Sequence, residues 1–355
     1  MREDIEDIRK RIEKIDNEIL RMMANRTAAA VEMGKRKASD SLPLRAPEVE
    51  EKVIARYVSK AKEFGMSESS ASTIARLLIH ESIEQQGLIP RPAKSKRILI
   101  VGGNGKMGQW LCRFFAARGH KIKVYDTTES IKYPSESDLK QGVLEAEVIV
   151  VSVPISATNA MLEEIYSYSP SGLIFDISSI KSPSSEVLKK GAKTFEVCSV
   201  HPMFGPETNS IIDENIVICN CGSYDAVEKA EELFDGANIT KTDLDEHDRL
   251  MAYVLGLSHA TNIAFFETLN RSDKSYVELS RVASTTFKEQ VETSHNVVSD
   301  NAQLYYEIQN LNPYGQEVLS TLIDSVVSIK EAAAKGDKEA FTKMMSEGKG
   351  YFGGD

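Results

Sequence analysis

Ile5, Ile8, Ile12, Ile15, Ile19 and Met22 recur at alternating spacings of three and four. That is a heptad seam, and it predicts a long N-terminal helix packed against other helices. A second helix is expected from Pro47, where Glu48, Glu50 and Glu51 suit the positive end of the helix dipole. A third runs from about Ser69 to Gln86, with Ser82 and Gln86 one turn apart on one face. Three helices, one very long, make a poor monomeric core but a good interlocked dimer. The pattern changes after the two-proline stretch Leu88–Lys96, read as a linker. Apolar runs then predict strands at Ile98–Val101, Lys121–Tyr125, Glu147–Val153, Leu173–Ile177 and Glu196–Val200, with a helix from Met107 to Arg118 after the first. Unbroken apolar strands alternating with helices indicate a parallel, doubly wound sheet. From Glu246 only helical periodicity is found, over Met251–Leu269, Val277–Val298, Leu304–Ile308 and Pro313–Lys335. The fold class expected is therefore multidomain: an all-α three-helix domain at 1–90, a linker at 91–96, an α/β Rossmann-type domain at 97–245, and an all-α domain at 246–355. By analogy with other such folds, the last supplies a dimer interface and one wall of the active site.

Composition narrows the class. A length of 355 residues exceeds one ordinary core, and 41% hydrophobic with 27% charged residues is a soluble globular balance. No apolar run approaches the ~20 residues of a membrane span, and the acidic start Met1-Arg-Glu-Asp4 is unlike a signal peptide, so a cytoplasmic protein is expected. The net charge of −10 arises entirely beyond residue 92, the segment before it being nearly neutral, which argues against nucleic-acid partners. Cys112, Cys198, Cys219 and Cys221 read as buried reduced thiols, neither a disulfide set nor a metal site.

Candidate chemistry begins at Gly103-x-Gly105-x-x-Gly108, set between the first strand and its helix. There Gly103 is expected to make the tight turn, Gly105 to let a pyrophosphate approach, and Gly108 to bring helix and strand together. Lys106 and Met107 open the helix, whose first N–H groups face the phosphates. Asp126 ends the second strand, where an acid accepts ribose hydroxyls and repels a 2′-phosphate, favouring NAD over NADP. Ser152, the Ser178-Ser-Ile-Lys181 turn and His201 cluster at predicted carboxyl ends of strands, the ligand side of such sheets. His201 opens the loop His-Pro-Met-Phe-Gly-Pro-Glu207, a setting that favours catalysis over core packing. In the first helix, Arg26 falls on the seam and Arg9 and Lys37 on its flank, so an anion is expected to meet these cations. Arg26 and Lys37 are about 16 Å apart along a helix and can converge on one small ligand, whereas Arg9 is about 25 Å from Arg26. If all three serve one site, Arg9 comes from a second chain.

Ile8-Arg-Lys-Arg-Ile-x-x-Ile-Asp16, Arg26, Val31-x-x-Gly-Lys-x-Lys37, Glu50 and Glu81-Ser-x-x-x-Gln86 together resemble the all-helical chorismate mutase domain. The resemblance implies that Arg26 and a partner chain's Arg9 clamp two substrate carboxylates. It further implies that Lys37 and Gln86 bond the ether oxygen, and that Glu50 and Ser82 contact the remaining polar groups. A [3,3] rearrangement needs a folded substrate and cations where the breaking C–O bond gains negative charge, which suits these residue types. The chain departs from that pattern at Val49 and Ala46, and Arg45 stands close enough in sequence to supply a missing cation.

The segments Val-Gly-Gly-Asn-Gly-Lys-Met-Gly108, Val151-Ser-Val-Pro154, Ser179-Ile-Lys181, His201-Pro-Met-Phe-Gly-Pro-Glu207, Glu246-His-Asp248 and Gln303-Leu-Tyr305 resemble prephenate dehydrogenase. With both resemblances, nearly the whole chain is similar to bifunctional chorismate mutase/prephenate dehydrogenases, homodimers acting on chorismate and prephenate. On that resemblance His201 bonds the substrate hydroxyl and takes its proton, Ser152 holds the histidine or the hydroxyl in line, and Lys181 orders the pocket. Asn296 stands where the family has a substrate-binding arginine, leaving Lys288, Arg281 or a different arrangement to hold the carboxylate, and prephenate or arogenate as substrate. Two rival readings are an unrelated NAD-dependent hydroxyacid dehydrogenase and a dehydrogenase whose helical domain is only regulatory.

Overall fold

A computed structural model describes residues 4–40, 42, 45–87, 89, 95–130, 132–299 and 301–353. Residues 91–94 of the predicted linker lie outside them. The N-terminal part is three helices, α1 (Ile5–Ser39), α2 (Pro47–Ala61) and α3 (Glu68–Gly87). α3 packs on both of the others, and its Ala71, Ala75, Leu78, Ser82 and Gln86, three or four positions apart, are all buried. Among the described residues of α1 only Gly34 is buried, and a Cβ there would lie 2.6 Å from Cγ of Gln86. The isoleucine seam faces outward in the single chain, with Ile5 67% and Met22 60% exposed. Each such side chain forgoes roughly 1.5–3 kcal/mol of burial. That is the physical ground for expecting a second copy along α1.

Seven strands follow: β1 (Arg97–Val101), β2 (Lys121–Tyr125), β3 (Val148–Val151), β4 (Leu173–Asp176), β5 (Val197–Pro202), β6 (Asn215–Asn220) and β7 (Asn238–Asp243). They form one sheet in the order β2-β1-β3-β4-β5-β6-β7. The first five are parallel and β6 runs antiparallel to β5. Helices α4 (Lys106–Ala117), α5 (Leu139–Glu145), α6 (Ile155–Ser167), α7 (Ser185–Gly191) and α8 (Tyr224–Leu233) connect them. Ile98, Ile100, Val150, Phe175 and Val200 share a core with Phe115 and Phe234, which is why the middle strands read as unbroken apolar runs. All five predicted strands form. β7 went unread because Ile239 is its single apolar residue and it lies at the sheet edge.

The chain divides into two compact units, Met1–Ser178 with Glu186–Thr242, and Ser179–Ser185 with Asp243–Asp355. The second contains α9 (Leu244–Met251), a π-helical turn (Ala252–Leu257), α10 (Ser258–Asn270), α11 (Tyr276–Arg281), α12 (Thr285–Ser299), α13 (Ala302–Leu311), α14 (Gly315–Lys335) and α15 (Lys338–Tyr351). The single helix expected over Val277–Val298 is two. The Ser284 hydroxyl accepts the Phe287 N–H at 3.2 Å and starts α12 afresh, so a local cap prevails over apolar periodicity. Among the described residues no helix is long and apolar enough to cross a membrane. All four cysteines are buried, and burial pushes the Cys112 thiol up to about 12, far from a reactive thiolate.

Candidate active sites

The first site lies among α1, α2 and α3. Arg26 of α1 donates through Nη1 to the Leu78 carbonyl and to the Ser82 hydroxyl of α3, both at 2.5 Å. Ser82 in turn donates to Leu78 O at 2.7 Å. One turn on, Gln86 is buried with its Oε1 lacking a hydrogen-bond partner. A buried, unsatisfied amide is costly unless something polar arrives, and a carboxamide can present either an acceptor or a donor there. Glu50, at the start of α2, is gripped by Arg45 through Nε at 3.3 Å and Nη2 at 2.7 Å. Burial alone would raise the Glu50 carboxyl, but Arg45, the Ala46 N–H and the Lys37 charge outweigh it and hold it below the usual carboxylate range. Arg26, Ser82 and Gln86 thus share one side of α3, and Lys37, Glu50 and Arg45 form a charged group beside α2. Arg9 is not with them. It stands exposed toward the other end of α1, 3.6 Å from Glu6.

The second site lies where the strand order reverses. β2 and β3 flank β1 on opposite sides, which opens a crevice at their carboxyl ends. The glycine turn sits there, with one correction to its expected division of labour. The left-handed turn residue is Gly102, with φ +81° and its absent Cβ only 2.3 Å from Ser152 O. Gly103 is required instead because a Cβ would meet Val124 at 2.7 Å, and Gly108 because one would meet Gly102 O at 2.2 Å. At Gly105 the nearest contact is 3.4 Å, so that side of the turn is open to a ligand. Lys106 and Met107 begin α4, whose N-cap Gly105 has no side chain to satisfy the first N–H groups. Asp126 accepts the Asn104 N–H at 2.9 Å and the Thr127 N–H at 2.7 Å, which fixes it at the rim of the turn. This arrangement fits a dinucleotide.

Ser152 follows β3, and its N–H donates to Val101 O at 2.8 Å beside the turn. His201 differs from expectation. It is the fifth residue of β5, paired with Val217 of β6 and 4% exposed, where a loop position was expected. The proline and glycine downstream predict a loop start, but pairing with β6 extends the strand through Pro202. On the same face of β5, Ser199 donates to buried Asp176 at 2.5 Å, and Asp176 also accepts the Ser178 N–H at 2.9 Å. These two partners went unnoticed in the sequence, where an aspartate closing Leu173-Ile-Phe-Asp176 was the available signal.

In the second unit, Lys181 is fully buried. Its turn is anchored by Asp248, which accepts the Lys181 N–H at 2.9 Å, the Ser182 N–H at 2.7 Å and the Ser182 hydroxyl at 2.5 Å. His247 Nδ1 is hydrogen-bonded to the same carboxylate at 2.7 Å. Burial raises the Asp248 carboxyl, yet these donors prevail and hold it below the usual range. Lys288 lies on the exposed side of α12, as does Asn296.

Sequence profiles match three parts of the chain in order: chorismate mutase type II over residues 8–87, the prephenate dehydrogenase nucleotide-binding domain over 121–254, and the prephenate dehydrogenase dimerization domain over 243–347. The chain belongs to the chorismate mutase/prephenate dehydrogenase fusion family. The T-protein of Haemophilus influenzae is 27% identical, covering 99% of this chain and 93% of its own length. A probable arogenate/prephenate dehydrogenase of Methanocaldococcus jannaschii is 28% identical over 73% of the chain, which spans only 61% of that relative. Among solved structures, prephenate dehydrogenase from A. aeolicus in complex with hydroxyphenyl propionate and NAD+ superposes with a TM-score of 0.60 at 18% identity, covering 72% of this chain and 96% of that one. The α1–α3 cluster is accordingly the mutase half, and the sheet with the second unit is the dehydrogenase half.

Proposed function

We propose that this chain is a bifunctional, cytoplasmic enzyme that rearranges chorismate to prephenate and then oxidises prephenate to 4-hydroxyphenylpyruvate and CO2, reducing NAD+. The observation that carries the reading is the coexistence on one chain of a helical cluster in which Arg26 meets Ser82 one turn from an unsatisfied buried amide, and a glycine turn open at the sheet's switch point. In the mutase half Arg26 takes one substrate carboxylate, and Arg9 of a second copy takes the other. Lys37 and Gln86 face the ether oxygen as its bond breaks, while Glu50 and Ser82 bind the hydroxyl and remaining polar atoms. No proton or nucleophile is needed, so catalysis consists of folding the substrate and stabilising charge where it develops. The exposed seam of α1 and the dimerization domain both support a homodimer.

In the dehydrogenase half, Gly103, Gly105, Gly108, Lys106 and Met107 hold the pyrophosphate, and Asp126 receives the adenosine ribose. NAD+ supplies the hydride acceptor when bound. His201 bonds the substrate hydroxyl and accepts its proton as the carbon beneath is oxidised, with Ser152 keeping the group in line. Lys181 orders the pocket, and Lys288 binds a substrate carboxylate.

The test supplies purified protein with chorismate and NAD+ and follows chorismate loss and NADH formation together. Both are expected, with chorismate loss persisting when NAD+ is left out. Chorismate that survives while added prephenate yields NADH would reduce the helical domain to a regulatory one, and NADH from arogenate alone would change the substrate. His201→Asn is expected to bind NAD+ but lose NADH formation.

A further inference from the structure

Arg45, on the connection between α1 and α2, reaches in two directions. One edge of its guanidinium grips Glu50, as described above. Its Nη1 donates to Oδ1 of Asp213 at 2.9 Å and lies 3.4 Å from Oδ1 of Asn238. Both acceptors belong to the dehydrogenase half, Asp213 just before β6 and Asn238 at the first position of β7. They are also tied to each other, because Asn238 Nδ2 donates to the Asp213 carbonyl at 3.0 Å. Asp213 has a left-handed backbone, φ 64°, a conformation it shares among described non-glycine residues only with Ser169. An aspartate stays there when its surroundings hold it. Here its carboxylate meets Arg45, 168 positions away in sequence.

We propose that Arg45 is a positioning residue of the mutase site and that Asp213 and Asn238 of the dehydrogenase half hold it there, so that the rearrangement site is complete only when the two halves are joined. The inference rests on the mutase reading given above. Its physical basis is charge and aim. The substrate is a dianion, and Glu50 is an anion beside it, acceptable only while Arg45 and Lys37 offset its charge. A loose arginine satisfies a carboxylate from many rotamers. With Nη1 committed to Asp213, the orientation that turns Nε and Nη2 toward Glu50 is selected, and the Glu50 carboxylate is aimed with it. The dehydrogenase half thereby acts on the first reaction without touching its substrate.

Asp213→Gly is the clean probe, since glycine suits the left-handed backbone while removing the carboxylate. It is expected to lower kcat/KM for chorismate about three- to fivefold, the scale of a partly exposed ion pair, with the loss mainly in kcat. NADH formation from prephenate by the same preparation stays unchanged. Asp213→Asn keeps an acceptor for Nη1 and recovers most of the loss. Arg45→Ala loses more, and adding Asp213→Gly to it costs nothing further, because both changes act through one contact. Native chorismate kinetics in Asp213→Gly, or additive losses in the double variant, overturn the inference and leave the mutase reading standing. A native chain that leaves chorismate untouched overturns both.

Discussion

Replacing Asp248 by asparagine tests how the turn bearing Lys181 is anchored. The carboxylate is fully buried and takes donors on both oxygens: the Lys181 N–H and His247 at Oδ1, and the Ser182 N–H and hydroxyl at Oδ2. Asparagine keeps one oxygen and turns an N–H2 toward the other set of donors. The Ser182 hydroxyl can rotate to accept, but a buried backbone N–H is left facing a donor, at about 1–3 kcal/mol. Loss of charge assistance to the remaining bonds brings the total to roughly 3 kcal/mol, at the lower end for breaking a buried charged network. If that sum must be met to seat the turn bearing Lys181 during turnover, kcat/KM for prephenate falls about a hundredfold. The assay is NADH formation from prephenate, with chorismate consumption as an internal standard, since Asp248 lies in the unit that excludes the mutase helices. Trp110, the single tryptophan, also lies in the other unit, so its fluorescence checks that this unit remains folded. The native carboxyl is depressed, so its stabilisation is present above the ordinary carboxylate range and is lost as pH falls through the lower folded value. The variant lacks that acid dependence. Unchanged prephenate kinetics together with an unchanged melting temperature would refute the anchoring role.

Three further outcomes are expected. Arg26→Ala lowers chorismate turnover by at least about a hundredfold, as for loss of one charge-stabilising donor, and spares prephenate oxidation; comparable chorismate rates would remove Arg26 from the site. Gly108→Ala places a Cβ 2.2 Å from Gly102 O and 2.7 Å from Gly103 Cα, all backbone, so the turn must open. NAD+ titration should show at least about tenfold weaker binding, with mutase activity intact, and equal affinity would contradict the close approach. His120 accepts the Lys96 N–H through Nδ1 at 3.1 Å, and burial together with the charges of Arg118 and Lys96 holds its pKa down to about 4. Its folded value lies below the unfolded ~6.5, so stability is complete above that pH and declines as pH falls toward 4; melting temperatures from pH 7.5 to 4.5 should decline less in His120→Gln, and equal slopes would exclude this histidine.

What the sequence determined is what short-range periodicity encodes. The isoleucine seam makes α1, short apolar runs make β1, β3 and β4, and the glycine spacing after β1 marks the nucleotide turn, because each depends on neighbours within one or two turns or on backbone sterics. Arg26 stood out for the same reason, as a cation on an isoleucine seam, whereas Ser82 and Gln86 were singled out by resemblance to the mutase pattern. The tertiary structure alone decided the rest. His201 belongs to a strand only because β6 returns beside β5, and β7 exists only because a sheet edge was there to receive it. Gly102, not Gly103, takes the left-handed turn, with Ser152 O against it and Val124 of β2 against Gly103. Asp248 finds Lys181 and Asp213 finds Arg45 across long stretches of chain, and such pairings follow from packing geometry that no local pattern records.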